Sequence, residues 1–316
     1  MDFIVNSQFD DFDQFCASAR TWDLEYKQIE RGAFNSRLLI TCGDDIQFTR
    51  ARLQRRLIQK GNPPQHLRTF GLLADPGITM YWRGRKVSGD QLFVFPHGGE
   101  LDCVSQSDFD VFVVSIGEET LSEVCQSLRL PEPDKLLGGR EVFSCEPDDL
   151  HLLRQFLRGA ELELLAGCDR LLLPDILQEI RVEAAVRFMS LISRGKQVQI
   201  AGRRRQRETA LAKAMDHLDD HYRQPLTVLK LCQVAHVSER TLEYAFRERY
   251  GLTPKSFVTA YRLNAAKKAL LLASPDDNTV SNIALNLGFW HRSKFAEDYR
   301  KLFGELPSKT LQRSIR

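Results

Sequence analysis

Two stretches of this chain space hydrogen-bonding and charged side chains so that they could recognise a partner. The first comes in two sets: Arg240, Glu243, Tyr244 and Arg247, and later His291, Arg292, Ser293, Glu297 and Arg300. Spacings of three and four residues put each set on one helix face. An Arg fork can donate two parallel hydrogen bonds to a guanine edge, and a Glu can accept from cytosine N4. Arg247, Arg249, Lys255, Arg300 and Lys301 sit farther along the helices or in flanking turns, where phosphate contact fits better. The second stretch runs from Arg50 to Lys60 and holds an RxxxR pair, Arg52 and Arg56. Guanidinium forks bind phosphate bidentately. Arg50, Arg52, Arg55, Arg56 and Lys60 are therefore expected to hold a phosphate-bearing ligand. A strand edge kept soluble by charge is the alternative.

Other chemistry is poorly supplied. Only His97 with Glu100, and His66 upstream, could begin a metal site, and several converging His plus a carboxylate would be needed. GxSxG, P-loop and HExxH patterns are absent. Neither catalysis, a metal nor a cofactor is expected. The seven cysteines form no CxxC pair and read as reduced core residues.

The elements that must position these residues differ between the two ends of the chain. Residues 1–140 are β-rich, with apolar runs at Leu38–Cys42, Ile78–Trp82, Gln91–Phe95 and Phe109–Ile116 between Gly, Pro, Asn and Asp turns. Such a pattern makes a sandwich or small barrel. Over 145–195 the period turns helical: Leu150, Leu153, Phe156 and Leu157, then Ile176, Ile180, Ala184, Phe188 and Leu191. These apolar faces either pair two subunits or pack on their own barrel. Gly202 to Arg207 reads as a polar, basic linker that is solvated or touches phosphate.

Beyond Glu208 one unit is written twice. TVLKLCQVAHVSERTLEYAFRERYGLTP starts at Thr227, and TVSNIALNLGFWHRSKFAEDYRKLFGELP starts at Thr279. Thr227, Val228 and Leu231 match Thr279, Val280 and Ile283. After a one-residue insertion, Leu242, Phe246, Tyr250, Gly251 and Pro254 match Phe295, Tyr299, Phe303, Gly304 and Pro307. Each copy reads as a capped helix, a tight turn at a small residue (Ala235; Ala284 and Gly288), and a second helix with a buried stripe. Short polar residues and Arg are left outside at the second helix's start, where a major groove could admit them. Pro254 to Leu272 reads as one helix holding the copies apart, ended by Ser274 to Asn278.

The charge follows this division. Residues 203–316 hold 21 Lys+Arg against 12 Asp+Glu, a balance of +9, and residues 1–202 have a balance of −7. An acidic front and a basic back imply that only the back meets a polyanion. No secretory signal or membrane span is expected from the apolar runs, which points to a cytoplasmic protein.

The run from Arg262 to Pro307 closely resembles the signature region of the AraC/XylS family of regulators. Arg262, Ala266, Ile283-Ala284, Gly288-Phe289, Phe295, Tyr299-Arg300, Gly304 and Pro307 carry the resemblance, which covers about the last 110 residues. Trp290 departs from the small or acidic residue usual there. The resemblance implies sequence-specific binding of double-stranded DNA through two recognition helices, with RNA polymerase as a further partner. It also implies a front domain that senses a ligand or dimerises. The expected fold is α+β: residues 1–200 form a cupin-like β-barrel with a helical dimerisation segment, and 203–316 an all-α domain with two helix-turn-helix motifs. A homodimer is expected. The RxxxR spacing is similar to that of cyclic-di-GMP receptors, so this nucleotide is the named effector candidate. A ligand-independent regulator or architectural DNA binder is the alternative, and a DNA-tethered enzyme ranks behind both.

Overall fold

A computed structural model describes residues 3–18, 22–64, 66–95, 100–166, 173–197, 202–273 and 279–313. The chain forms two compact units. The first comprises Met1–Tyr26, Asn35–Gln54 and Gln59–Gln199, and the second Lys27–Phe34, Arg55–Ile58 and Ile200–Arg316. Two short early segments thus belong with the carboxy-terminal helices.

The strands are β1 (Phe3–Phe9), β2 (Asp23–Gln28), β3 (Ser36–Cys42), β4 (Ile46–Leu53), β5 (Leu57–Asn62), β6 (Leu67–Leu73) and β7 (Thr79–Trp82). They continue as β8 (Arg85–Ser88), β9 (Gln91–Val94), β10 (Leu101–Ser105), β11 (Phe109–Gly117), β12 (Val142–Ser144) and β13 (Lys196–Gln197). The first unit's helices are α1 (Phe12–Ser18), α2 (Glu118–Ser127), α3 (Pro133–Leu137), α4 (Pro147–Ala166) and α5 (Leu173–Arg194). Eight strands pair in the order β1-β3-β4-β11-β6-β9-β12-β13, and five in the order β2-β5-β10-β7-β8.

This arrangement corrects the expected closed barrel: the described strands form two open sheets. The pleat explains how one sheet serves two faces. Along β4, Thr49 and Ala51 point toward the five-stranded sheet, and Phe48 lies in the core on the other side. That second face is roofed by α2, α4 and α5, so the unit has three layers. Phe188 of α5 stacks on Phe70 of β6 with ring centroids 4.8 Å apart. The helical stripes Leu150, Leu153, Leu157, Ile180, Ala184, Phe188 and Leu191 are all buried in this core. They cover their own sheet.

A cavity of about 70 Å³ lies on the opposite face, with Trp22, Gln59, Trp82 and Phe93 among its walls. No Asp, Glu, Lys, Arg or His lines it among the described residues. Burial pushes the Cys42 thiol up to about 12 and the Cys145 thiol up to about 11, so neither is a thiolate at neutral pH.

The second unit contains α6 (Gly202–His221), α7 (Val228–Ala235), α8 (Glu239–Tyr250), α9 (Pro254–Leu272), α10 (Val280–Asn286), α11 (Arg292–Phe303) and α12 (Pro307–Arg313). The expected linker at 202–207 is instead the first turns of α6. Arg, Gln and Glu favour helix and no Pro interrupts them. Arg207 is held by Glu248 of α8 at 3.3 Å. His97 and the expected break at 274–278 lie outside the described residues.

Candidate nucleic-acid interface

Each repeat is built by local rules. Thr227 caps α7 by accepting from the Lys230 amide at 3.2 Å, and Thr279 caps α10 by accepting from the Asn282 amide at 3.2 Å. Both turns need a left-handed residue, supplied by His236 (φ 55°) and Gly288 (φ 78°). Both then close with the same bond, Val237 N–H to Cys232 C=O at 3.2 Å and Phe289 N–H to Ala284 C=O at 3.0 Å. This match shows that Trp290 is the inserted residue. It stands in the turn, 72% exposed, ahead of the α11 cap His291.

The cap chemistry separates the two second helices. Ser238 accepts from the Thr241 amide at 3.2 Å at the start of α8, but His291 makes no side-chain cap bond. Below the caps the stripes are buried: Leu242, Ala245, Phe246 and Tyr250 in α8, and Phe295, Tyr299, Leu302 and Phe303 in α11.

The outward residues fall where a groove could meet them. Arg240, Tyr244 and Arg247 on α8 are exposed, and Glu243 is half-buried. His291, Arg292, Ser293, Glu297 and Arg300 are all exposed at or on α11. Several already have partners. Glu243 accepts from Arg247 at 3.0 and 3.1 Å, and Tyr244 lies under the Arg207 guanidinium at 4.8 Å. Bonds from Lys301 and Lys294 hold the Glu297 carboxyl below its usual range. Arg240 and Arg292 are exposed cations in the first turns of their helices. Lys294 was missed by sequence reasoning. Its signal was the three-residue spacing to Glu297, which it bonds at 3.4 Å. Arg249, expected at phosphate, is buried and packs over the Tyr250 ring at 5.6 Å, because its position turns inward on α8.

The connector helix is anchored on both sides. Arg262 donates to the Tyr222 and Gln224 carbonyls, each at 2.6 Å, tying α9 to the end of α6. Lys267, buried on α9, bonds Glu305 at 3.0 Å, and Glu305 also accepts from Thr310 at 2.9 Å.

The basic cluster of the front unit is neutralised and divided. Arg50 forks Asp110 at 3.0 and 2.8 Å and bonds Glu161 of α4, and Arg52 bonds Glu161 at 3.1 Å. Arg55 and Arg56 belong to the second unit, where they donate to Ala33 C=O at 3.1 Å and Tyr250 C=O at 2.7 Å. Lys60 is half-buried on β5. Neither strand that carries the cluster is a sheet edge, which corrects the strand-edge alternative: β4 lies between β3 and β11, and β5 between β2 and β10.

With this geometry in place, residues 231–313 match the model of a helix-turn-helix domain. The XylDLEGF operon transcriptional activator 3 of Pseudomonas putida is 34% identical over 101 residues, 32% of this chain and 30% of that protein. The probable thc operon regulatory protein of Rhodococcus erythropolis is 38% identical over 99 residues, 31% of this chain and 30% of that protein. The carboxy-terminal third thus carries the helix-turn-helix domain and is similar to these operon regulators. This chain spans about a third of the length of these curated relatives. A solved structure of a probable AraC family transcriptional regulator from Rhodopseudomonas palustris is 36% identical with a TM-score of 0.31, covering 33% of this chain and 96% of that one. Among the described residues no group of His, Cys, Asp and Glu could hold a metal ion, and no helix is long and apolar enough to cross a membrane.

Proposed function

We propose that this chain is a sequence-specific, AraC/XylS-type transcription regulator that reads duplex DNA with α8 and α11 and is controlled by a small effector on its amino-terminal unit. One observation carries the DNA reading: two copies of the same motif leave Arg240 and Arg292 exposed in the first turns of their second helices. Arg240, Tyr244, Arg292 and Ser293 are the proposed base readers, with Lys255 and Arg300 toward phosphate. Pairing two copies would bring two such modules to two repeats of the site, and sedimentation at micromolar concentration tests that part.

The test of DNA binding uses the full chain and duplexes selected from random DNA. Arg292→Ala should weaken the selected duplex by about 1–3 kcal/mol and relax one base preference. Equal losses on selected and random duplexes would move Arg292 to phosphate contact. Wild-type affinity should fall steeply with salt, and a flat response would overturn the reading.

For the effector, the cavity between the sheets is better supported than the arginines, which already hold two carboxylates. The indole N–H groups of Trp22 and Trp82 and the Gln59 amide nitrogen are buried with no hydrogen-bond partner, and all three residues wall the cavity. Buried orphan donors in an apolar wall favour a compact, neutral guest that brings an acceptor oxygen. Cyclohexanone should raise the melting temperature more than methylcyclohexane, which lacks an acceptor, or cyclohexanecarboxylate, which is charged. Trp82→Phe should remove the preference for the ketone. Calorimetric heat with cyclic-di-GMP, lost in Arg52→Ala, would favour the nucleotide instead.

A further inference from the structure

The second unit contains more than the family's helices. Lys27–Phe34 and Arg55–Ile58 are part of it, and they meet both recognition helices at the same structural position. An α-helix leaves its last four carbonyls without intrahelical donors. Arg56 donates to Tyr250 C=O, the last residue of α8, at 2.7 Å. Gly32 N–H donates to Lys301 C=O at 2.9 Å, and the Gln28 side-chain amide donates to Leu302 C=O at 2.6 Å, both in the last turn of α11.

The two segments are themselves joined. Ile29 N–H donates to Arg56 C=O at 3.1 Å, and Arg56 N–H donates to the Glu30 carboxylate at 2.8 Å. The pair is fixed to the connector: Gln28 N–H donates to the Asn264 side chain at 2.9 Å, and Asn264 returns a bond to Gln28 C=O at 2.8 Å. Gln28 is fully buried and Asn264 nearly so.

The helix ends are shaped for this contact. α8 ends at Gly251 (φ 71°) and α11 at Gly304 (φ 77°). A Cβ on Gly251 would stand 1.7 Å from the Arg56 guanidinium, and one on Gly304 would stand 3.0 Å from the Ala33 backbone. Each glycine therefore meets both the left-handed turn and the close approach of one of these segments.

We propose that Gln28, Gly32 and Arg56 form a clasp that sets the spacing of the two recognition helices, so that the spacing accepted between the two half-sites of one module, one read by α8 and one by α11, is determined partly by residues outside the helix-turn-helix domain. α9 joins the motifs along one side, and the clasp ties the far ends of α8 and α11 through a second path. Arg262 and Lys267 anchor α9 itself, and the clasp adds a direct tie between the last turns of the two recognition helices. Gln28 and Arg56 are positioning residues and need not touch DNA.

The proposal rests on the DNA-binding reading, and the test separates the two. Duplexes are selected from random DNA with the full wild-type chain. They are then rebuilt with one base pair inserted or deleted between the segment read by α8 and the segment read by α11. Wild type should discriminate sharply against both altered spacings. The double variant Gln28→Met, Arg56→Met keeps the length of the Gln28 side chain and the aliphatic stem of Arg56 and removes the side-chain donors. It should lose discrimination by about fivefold, the factor carried by one net hydrogen bond, and bind a duplex carrying one half-site as wild type does. Gly304→Ala should act in the same direction through Ala33. Unchanged spacing discrimination with intact half-site binding overturns the clasp, as does an equal loss on every duplex, half-site included. A wild-type chain that selects no duplex overturns the DNA-binding reading and leaves the clasp nothing to position.

Discussion

Replacing Arg50 by Met should destabilise the first unit rather than merely blunt a ligand response. The Arg50 side chain is 10% exposed, and that of Glu161 is 9% exposed. Arg50 makes a two-bond fork to Asp110, a further bond to Glu161, and lies over the Phe112 ring at 4.4 Å. Met keeps the aliphatic stem and removes the guanidinium, so the change reads the charge together with its contact on the Phe112 ring. Removing one member of a buried ion cluster costs about 3–5 kcal/mol, because the remaining charge is left without its partner. Arg52 stays within 3.1 Å of Glu161 and 3.4 Å of Asp110, which brings the expectation to the lower end, about 3 kcal/mol. For a unit of this size that is a fall in melting temperature of roughly 6–12 °C. Adding Glu161→Leu should recover part of the loss, since it removes the stranded carboxylate. Urea unfolding of the two single variants and the double variant measures the coupling. A loss under about 1 kcal/mol for Arg50→Met, or no recovery in the double variant, would refute a structural cluster. The cluster would then stand open to a phosphate ligand.

Three further outcomes are expected. His291→Ser should stabilise the second unit by about 0.5–1 kcal/mol in chemical denaturation, since it supplies the side-chain cap that α11 lacks. Gly304→Ala should cost more than Gly139→Ala in the same assay. Both have a left-handed φ, at 77° and 70°, but a Cβ at Gly139 meets nothing within 4 Å and one at Gly304 meets Ala33. The third concerns His217, whose imidazole is held below the ordinary histidine range by burial and by His221 stacked on it at 4.2 Å. The fold therefore favours neutral His217, and the unfolded chain binds the proton first. Its contribution is complete above the unfolded value of about 6.5 and declines as pH falls below it. His217→Gln should flatten that decline in a pH series of melting temperatures.

The helix-turn-helix third of this protein is written locally, and for that reason the sequence reports it well. Caps such as Thr227 and Ser238, the glycines Gly251 and Gly304, and the buried stripes act within a dozen or so residues of one another. Duplication of the unit reinforces each signal. The single inserted residue, Trp290, was also legible as a one-residue slip between the copies. Arg249 was misplaced because a helix periodicity fixes faces only to within a residue, and this Arg lies at the seam.

The rest depended on contacts that no local pattern encodes. What the basic stretch meets in the fold was not legible, because the carboxylates that pair with Arg50, Asp110 and Glu161, lie 60 and 111 residues from it. Alternation along β4 sorted Thr49 and Ala51 to the cavity and Arg50 to the helices, yet only the neighbouring strand and helix decided what the guanidinium meets. Apolar stripes on α4 and α5 specify burial, but not whether their own sheet or a second chain does the burying. The early segments show the limit most clearly. Tyr26 walls the cavity and Gln28, two residues on, bonds Asn264 across a separation of 236 residues. Composition and periodicity determined that this chain carries paired, capped helices with cationic first turns. Long-range packing alone determined which charges are satisfied and which backbone carbonyls are capped, because each depends on the arrival of a partner distant in the chain.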